Sequence, residues 1–385
     1  MSVQQNMKDL IGERVRSIPE YVPESLEEVA ARLGLPMGQL IKLDANENPY
    51  GPTRRALNVL NGYTHYHRYP DATSHRLRQA IGQYIEVDPE RIMVGNGSDE
   101  LIDLILRVFR PGHKTDPDEQ DRGMGQVINC PPTFDMYQFY ATTNDMEVLD
   151  FPRDADFRAN IEGIEALCSA DPRPRIIFLA SPNNPDGGLL PEAHLLRLLA
   201  LPLMVALDQA YIEFSDSGSW AHLVAKRGNL IVLRSFSKWA GLAGLRVGYG
   251  VFPKWMMSAL WRLKSPFNVN CAAQAAAVAT LEDVGEARAT LARIVAERHR
   301  LLDKLRELPF LKAHESQANY LLCEVQGVPV TAIREAMERR GIILRYYNKP
   351  GLRQCVRISV GTPMQDESVL VALRSLEHQG GQDGH

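Results

Sequence analysis

The stretch LIVLRSFSKWAGLAGLRVGYG, residues 230–250, joins an apolar run typical of a buried strand to a single lysine. The run becomes polar abruptly at residues 234–237, Lys238 follows, and Arg246 stands eight positions later. Most lysines at strand ends are solvated surface residues. A lysine removed from water, however, has a lowered pKa, and its neutral amine can form a Schiff base with an aldehyde. Lys238 is therefore a candidate catalytic residue.

The same strand-and-turn pattern recurs between residues 90 and 250. Each unit is a short apolar run that ends in a polar turn: RIMVGNGSDELI, RIIFLASPNNPDGG, LPLMVALDQAY and LIVLRSFSK. Runs that are apolar on both faces favour parallel strands covered by helices. Sheets of this kind bind ligands at the carboxyl ends of their strands. The sequence predicts an α/β fold with a mostly parallel central sheet and the four turns at one edge.

The last third of the chain changes character, because a long helix-forming stretch precedes alternating strands and helices. We predict a large domain over residues 46–272 and a smaller α+β domain over 273–376. Residues 1–45 are expected to join the small domain or to cover the site. The polar segment 114–126 is predicted to be a surface loop, and 377–385 a disordered tail.

Composition and charge argue against several classes of protein. The 385 residues are 45% hydrophobic and 23% charged, with a net charge of -4. These values are ordinary for a soluble globular protein and predict neither a nucleic-acid nor a membrane partner. The N-terminus has no apolar signal segment, so we expect a cytoplasmic location. The five cysteines are scattered without CxxC spacing, which predicts reduced thiols and no metal site.

The commonest aldehyde cofactor, pyridoxal phosphate (PLP), needs a phosphate cradle, an anion at its pyridine nitrogen and donors near its phenolic oxygen. The motif GNGSDELI starts a predicted helix, where free N–H groups and the helix dipole favour an anion. An ordinary helix cap is the plain alternative. The candidate donors to a phosphate are Gly97, Ser98, Asp99, Ser235, Ser237 and Arg246.

Candidates for the other two requirements stand in neighbouring turns. Asp208 ends the apolar run LMVAL, where an unpaired carboxylate is costly to bury. A protonated pyridine nitrogen would be its natural partner. Tyr211 follows three residues later, and it can reach the phenolic oxygen together with Asn184 of the SPNNPDGG turn. Asn184 alone also fits a common Asn-Pro turn.

These residues together resemble a known family. The set S-x-S-K-x7-R, D-x-A-Y, N-N-P-x-G and G-N-G-S-D-E resembles the fold-type I PLP aminotransferases. Within them, LDANENPYG, HRYPD, PPTFDMY, PFNVN and VRISVGT resemble the histidinol-phosphate aminotransferase family, of the class II subfamily. The resemblance implies the fold-type I PLP transferase fold and a PLP cofactor. It also implies transamination between L-histidinol phosphate and 2-oxoglutarate, with glutamate as the other amino compound, in histidine biosynthesis.

The resemblance assigns roles around the cofactor. Lys238 would bind PLP and move a proton between the substrate Cα and the cofactor C4′, while Asp208 pairs with the pyridine nitrogen. Tyr211 and Asn184 would bind the phenolic oxygen, and Phe134 would stack on the ring. The residues on the phosphate side would be Ser98, Asp99, Ser235, Ser237 and Arg246.

The resemblance also implies a partner subunit and a substrate site. Tyr69 in HRYPD matches a tyrosine that reaches the phosphate from the neighbouring subunit, which implies a homodimer. Arg357 in CVRIS matches the arginine that binds the α-carboxylate. Arg345 in GIILRYY and Tyr21 in IPEYVP match positions that meet the substrate phosphate. Asn46 in DANEN is expected to line the site.

The sequence departs from the family pattern in two motifs and leaves other activities open. NNPDG and DQAY stand where NNPTG and DEAY are usual, but Asp186 and Gln209 are not positions that hold the cofactor. A broader aromatic amino-acid aminotransferase and a threonine-phosphate decarboxylase are alternatives on the same fold. A non-catalytic PLP-binding protein is disfavoured, since every expected catalytic position is filled.

Overall fold

A computed structural model describes residues 7, 10–18, 20, 24–110, 125–171, 173 and 175–377. The strands are β1 (Ile41–Leu43), β2 (Ile92–Gly95), β3 (Gln126–Asn129), β4 (Glu147–Asp150), β5 (Arg175–Ala180), β6 (Leu203–Asp208), β7 (Leu230–Ser235), β8 (Gly248–Val251), β9 (Leu311–Ala313), β10 (Tyr320–Val325), β11 (Ile342–Tyr346) and β12 (Cys355–Ser359). The α-helices are α1 (Glu13–Ser17), α2 (Leu26–Leu33), α3 (Arg54–Gly62), α4 (His75–Ile85), α5 (Ser98–Phe109), α6 (Met136–Thr143), α7 (Ile161–Ala170), α8 (Glu192–Leu199), α9 (Lys254–Leu263), α10 (Cys271–Glu282), α11 (Val284–Arg306), α12 (Val330–Glu338) and α13 (Pro363–Glu377).

Seven strands form the central sheet, in the order β2-β8-β7-β6-β5-β3-β4. The four pairs from β4 to β7 are parallel, and only the pairs made by β8 are antiparallel. The predicted α/β fold with a mostly parallel central sheet is confirmed. Since β2, β5, β6 and β7 run in one direction, the four polar turns of the sequence meet at one edge of the sheet.

The strands at the centre of this sheet are buried on both faces. In β6, Val205 and Leu207 pack in the core that includes residues of α3, α4, α7, α8 and α10. Met204 and Ala206 alternate with them and pack in the core that includes residues of α5, α6 and α9. A strand with apolar neighbours on two sides needs an apolar residue at every position, which is why these strands are continuous hydrophobic runs.

A second sheet of five strands has the order β1-β11-β12-β10-β9. β1 pairs parallel with β11, with Ile41 opposite Ile342, and the remaining pairs are antiparallel. Its core contains residues of α12, α13 and the end of α11, among them Leu301 and Leu305. Residues 41–43 thus share a sheet with the C-terminal strands.

Several predicted segments can be compared with these elements. The predicted limit between residues 272 and 273 falls inside α10, whose alanines pack against α3 and α4, and the domain limits remain a prediction. The loop prediction is wrong for Gln126, which begins β3 and is buried. Residues 114–124 lie outside the described residues, as does the predicted tail apart from Glu377, which ends α13. Among the helices of the described chain, none is long and apolar enough to cross a membrane.

The turn after Lys238 packs closely against the segment that precedes α3. Gly241 has a φ of 67°, and a β-carbon built on it would lie 2.4 Å from the carbonyl carbon of Gly51. Nearby, Asn48 Nδ2 donates a hydrogen bond of 3.1 Å to the carbonyl oxygen of Trp239. These contacts leave no room for a side chain at Gly241 and hold the turn that carries Lys238.

We expect Gly241→Ala to lower the free energy of unfolding by about 2 kcal/mol or more. Alanine in the left-handed region costs about 1–2 kcal/mol, and the new methyl group would also collide with the backbone of Gly51. The matched control is Gly244→Ala in the same turn, because a β-carbon on Gly244 meets no atom within 4 Å. Chemical denaturation should show a large loss for the first variant and almost none for the second. Equal losses would contradict the close contact at Gly241.

Candidate active site

The polar turns at the carboxyl edge of the central sheet enclose one cavity of about 140 Å³. Most of the residues predicted from the sequence to form a cofactor site line this cavity. They are Ser98, Asp99, Phe134, Asn184, Asp208, Tyr211, Ser235, Ser237, Lys238 and Arg246. The remaining lining residues are Tyr137, Ala180, Ala210 and Ala243. Five separate segments of the chain therefore contribute to a single concave site, which is where α/β proteins bind small ligands.

Lys238 lies three residues past the end of β7, with its amine inside the cavity. The Nζ donates a hydrogen bond of 2.9 Å to the carbonyl oxygen of Ala45 and lies 5.9 Å from the ring centre of Tyr211. Burial of the ammonium, helped by the positive charge of Arg357, lowers the pKa of Lys238 to about 8. A substantial fraction of the amine is thus neutral near physiological pH, as a nucleophile or a proton acceptor requires.

Asp208 ends β6 at the bottom of the cavity and is 5% exposed. Its carboxylate accepts hydrogen bonds from the hydroxyl of Tyr137 at 2.8 Å and from the backbone N–H of Ala210 at 3.0 Å. It forms no ion pair with any of the described residues. Burial raises the pKa of Asp208 to about 6, although both hydrogen bonds act in the opposite direction. The carboxylate of Asp208 is therefore a buried anion with no cationic partner among the described residues.

The phosphate-binding candidates gather at the start of α5. Gly97 precedes this helix with a φ of 79°, and a β-carbon on it would lie 2.6 Å from Nη2 of Arg246. The same Nη2 donates a hydrogen bond of 2.8 Å to Asp99. Ser235 accepts a hydrogen bond of 3.0 Å from the backbone N–H of Ser237, which ties the two serines together. Helix N–H groups, hydroxyls and a guanidinium therefore face one end of the cavity, where an anion is favoured.

Arg357 and Asn46 do not line the cavity themselves, but each is hydrogen-bonded to a residue that does. Arg357 on β12 donates through Nη1 to Asn184 at 2.6 Å and through Nη2 to the carbonyl oxygen of Asp44 at 2.5 Å. Asn46 donates through Nδ2 to the hydroxyl of Tyr211 at 3.1 Å and accepts at Oδ1 from Ser359 at 3.0 Å. The two candidate substrate residues, Arg357 and Asn46, are thus bonded directly to two candidate cofactor residues.

Other predicted residues do not line this cavity. Arg345 on β11 lies opposite Arg357 in the strand register, and its guanidinium carbon is 5.9 Å from the ring centre of Tyr347. Tyr69 is 82% exposed, and its ring stacks on Phe267 with the centres 4.6 Å apart. Tyr21 falls outside the described residues.

The sequence interpretation missed several residues that support the site. Tyr137, fully buried, bonds to Asp208 and stacks on Phe178. Arg234 and Glu213 form an ion pair of 2.7 Å with both side chains buried, and this pair joins the turn after Tyr211 to the strand before Lys238. The signal was present, because Arg234 interrupts an apolar strand and needs an anionic partner. The sequence alone gave no means of choosing Glu213 among the acids.

The family model of the class I and II aminotransferases matches residues 38–376 of this chain. A histidinol-phosphate aminotransferase of Roseiflexus castenholzii is 45% identical over 377 residues, which is 95% of this chain and 98% of that protein. Histidinol-phosphate aminotransferase 1 of Arabidopsis thaliana, a chloroplastic protein, is 43% identical over 94% of this chain and 85% of its own length. The chain belongs to the histidinol-phosphate aminotransferase family.

Solved structures agree with the fold. The histidinol-phosphate aminotransferase of Sinorhizobium meliloti, crystallised with pyridoxal 5'-phosphate, matches with a TM-score of 0.82 and 24% identity over 95% of this chain and 98% of that chain. An L-threonine-O-3-phosphate decarboxylase of Porphyromonas gingivalis matches with a TM-score of 0.75 and 24% identity over 88% of this chain and 100% of that chain. At these identities the likeness shows the fold alone, and the fold-type I prediction is confirmed.

We expect Asp208 to make the stability of the ligand-free protein depend on pH. Its pKa of about 6 in the folded state exceeds the ordinary 3.8, so wild-type stability should fall as the pH rises from about 4 to about 6. The shift corresponds to roughly 3 kcal/mol. Asp208→Asn removes the titration, so the unfolding free energy of the variant relative to wild type should rise over this window and then level off. Urea unfolding between pH 4 and 8 measures the difference in unfolding free energy between the variant and wild type. A difference that does not change with pH would contradict the raised pKa of Asp208.

Proposed function

We propose that the protein is a PLP-dependent aminotransferase that transfers an amino group between L-histidinol phosphate and 2-oxoglutarate in histidine biosynthesis. The observation that carries the proposal is one cavity lined by Lys238, the uncompensated carboxylate of Asp208 and the anion-binding start of α5. The relatives that share 40–45% of its sequence are named histidinol-phosphate aminotransferase, which supports the choice of substrate. The proposal keeps the cytoplasmic location that the sequence predicts.

The residues present fit PLP at both ends of the cavity. A protonated ring nitrogen would give the buried carboxylate of Asp208 the cation that it lacks among the described residues. At the other end, a phosphate would accept from the N–H groups at the start of α5 and from Arg246. Position 97 favours glycine because its φ of 79° lies in a region that other residues rarely adopt. Phe134 lines the cavity and is placed to pack on a flat ring.

The cofactor and the residues of the chain would have different roles in the reaction. Bound PLP would supply an electron sink for the charge that develops at the substrate Cα. Lys238 would act as the base that moves the proton from that Cα, and its pKa of about 8 suits a base that works near neutral pH. Asn184 and Tyr211 line the cavity and bind the phenolic oxygen. Arg357 is hydrogen-bonded to Asn184, and Asn46 is hydrogen-bonded to Tyr211. These two contacts orient both side chains before the cofactor binds.

Substrate binding is assigned to the arginines of the second sheet. Arg357 is held by Asn184 and by the carbonyl oxygen of Asp44, which leaves it oriented for a carboxylate in the glutamate half-reaction. Arg345 lies on the adjacent strand, opposite Arg357, and binds the phosphate of histidinol phosphate together with Tyr21. Asn46 is placed next to the cavity by its hydrogen bond to Tyr211.

The same proposal includes a homodimer with shared sites. Tyr69 is among the most exposed aromatic residues of the described chain, and it does not line the cavity of its own subunit. Its stacking on Phe267, itself 41% exposed, fixes the ring in a surface patch. In a dimer, this patch would present Tyr69 to the cofactor phosphate of the partner.

A single-turnover assay tests the proposed reaction. The PLP form is mixed separately with histidinol phosphate, phenylalanine and threonine phosphate, and the absorbance change to the pyridoxamine form is followed. We expect rapid conversion with histidinol phosphate and its reversal by 2-oxoglutarate, and no conversion in Lys238→Ala. Faster conversion with phenylalanine would make the protein an aromatic aminotransferase. Release of CO2 from threonine phosphate without pyridoxamine formation would make it a decarboxylase.

Arg345→Ala should damage the reaction with the phosphorylated substrate selectively. A charge-assisted hydrogen bond contributes about 1.5–3 kcal/mol, so kcat/KM for histidinol phosphate should fall roughly 10- to 100-fold while that for phenylalanine changes little. Arg339→Ala serves as the control, because the side chain of Arg339 is 57% exposed and directly follows α12, outside the residues that line the cavity. Equal losses for the two substrates would remove Arg345 from the phosphate site.

A further inference from the structure

Tyr347 has a buried hydroxyl with no hydrogen-bond partner among the described residues. It directly follows β11, which carries Arg345. Its ring packs on a small apolar cluster of Leu322, Leu352 and Cys355, away from the two large cores of the central sheet and the core of the second sheet. A buried donor without an acceptor is destabilising, and such groups in native proteins are commonly completed by a ligand. Neither the family resemblance nor the assignments above give this tyrosine a role.

The surroundings of this hydroxyl are rich in donors. Burial raises the pKa of Tyr347 to about 12, while the positive charges of Arg357 and Arg345 act to lower it. The group therefore stays protonated and can donate at neutral pH. The Nε of Arg357 is a second buried donor without a partner in the described part of the chain. An unpaired hydroxyl and an unpaired guanidinium N–H, with the guanidinium carbon of Arg345 5.9 Å from the ring centre of Tyr347, favour an anionic acceptor.

Tyr347 begins a short segment that leads from β11 towards the helix after Phe134. Lys349, two residues further on, forms an ion pair with Asp135. Asp135 follows Phe134, which lines the cavity. The short segment 347–349 therefore leaves the second sheet at β11 and ends beside the cofactor cavity. Asp135 and Tyr211 are close enough to Tyr347 to influence its phenol, and Tyr211 lines the cavity.

We propose that Tyr347 is a further substrate-binding residue, whose hydroxyl donates to the phosphate of the amino substrate beside Arg345 and Arg357. This inference rests on the proposed function and refines the specificity of the same site. The aromatic ring is held by its apolar cluster, so the donor is already in place before the substrate arrives, and little conformational entropy is lost on binding.

Calorimetric titration of the pyridoxamine-phosphate form tests the proposal, because this form cannot react with an amine and reports binding alone. Tyr347→Phe should weaken histidinol phosphate roughly 10- to 100-fold, the range expected for one hydrogen bond to a charged group. Its affinity for histidinol, which lacks the phosphate, should change less than about twofold, and its thermal midpoint should not fall.

Tyr346→Phe is the matched control. Tyr346 is the adjacent residue, and its hydroxyl is also buried without a partner among the described residues. Its ring, however, packs on the core of the second sheet, with Arg334 4.7 Å from the ring centre. The control should bind both ligands as wild type does.

The outcomes separate the proposed role of Tyr347 from the proposed function of the protein. A selective loss with the phosphorylated ligand supports the role of Tyr347. No loss, or an equal loss with histidinol and histidinol phosphate, overturns it while leaving the aminotransferase intact. If wild type itself fails to prefer histidinol phosphate over histidinol, the proposed substrate is wrong, independently of any variant.

Discussion

The structure depends on one electrostatic constraint, the buried carboxylate of Asp208 at the end of the central strand β6. Removing a carboxylate from water is costly, and two hydrogen bonds from Tyr137 and Ala210 compensate only in part. Positive charge lies nearby, because Arg246 and a helix start line the cavity and Arg357 is hydrogen-bonded to its lining residue Asn184. The cavity is therefore complementary to a ligand that is cationic at its ring and anionic at its ends, which is the charge distribution of PLP with a bound substrate.

The second sheet is connected to this cavity by short polar contacts rather than by a broad apolar surface alone. Residues 44–46 lie between the sheets: Asp44 accepts from Arg357, the carbonyl oxygen of Ala45 accepts from Lys238, and Asn46 bonds to Tyr211 and Ser359. Every one of these contacts involves a residue of the proposed site or its immediate neighbour. The geometry that aligns the two sheets is thus the same geometry that orients the reacting groups, and a change in one must alter the other.

Much of the fold and the grouping of the candidate site residues in one cavity could be predicted, because both depend on local patterns. Continuous apolar runs predicted parallel strands, and the polar residues that end them, such as Asp208 and Lys238, meet at one edge for reasons of strand direction alone. What could not be predicted depends on contacts between distant segments. The choice of Glu213 as partner of Arg234 is one case, and the orphaned hydroxyl of Tyr347 is another. Whether a buried polar group finds a partner depends on how distant segments pack, and a periodic sequence pattern does not encode that packing.

The pairing of β1 with β11 has a consequence for how the chain assembles. Ile41 finds its partner Ile342 about 300 residues later in the sequence, whereas the neighbours β5, β6 and β7 follow one another directly. During synthesis on the ribosome, β1 emerges early and stays unpaired until nearly the whole polypeptide has been made. The central sheet can form first from consecutive strands, and it then brings the two ends of the chain together. The second sheet closes last, and with it come the hydrogen bonds that Ala45 and Asn46 make to Lys238 and Tyr211.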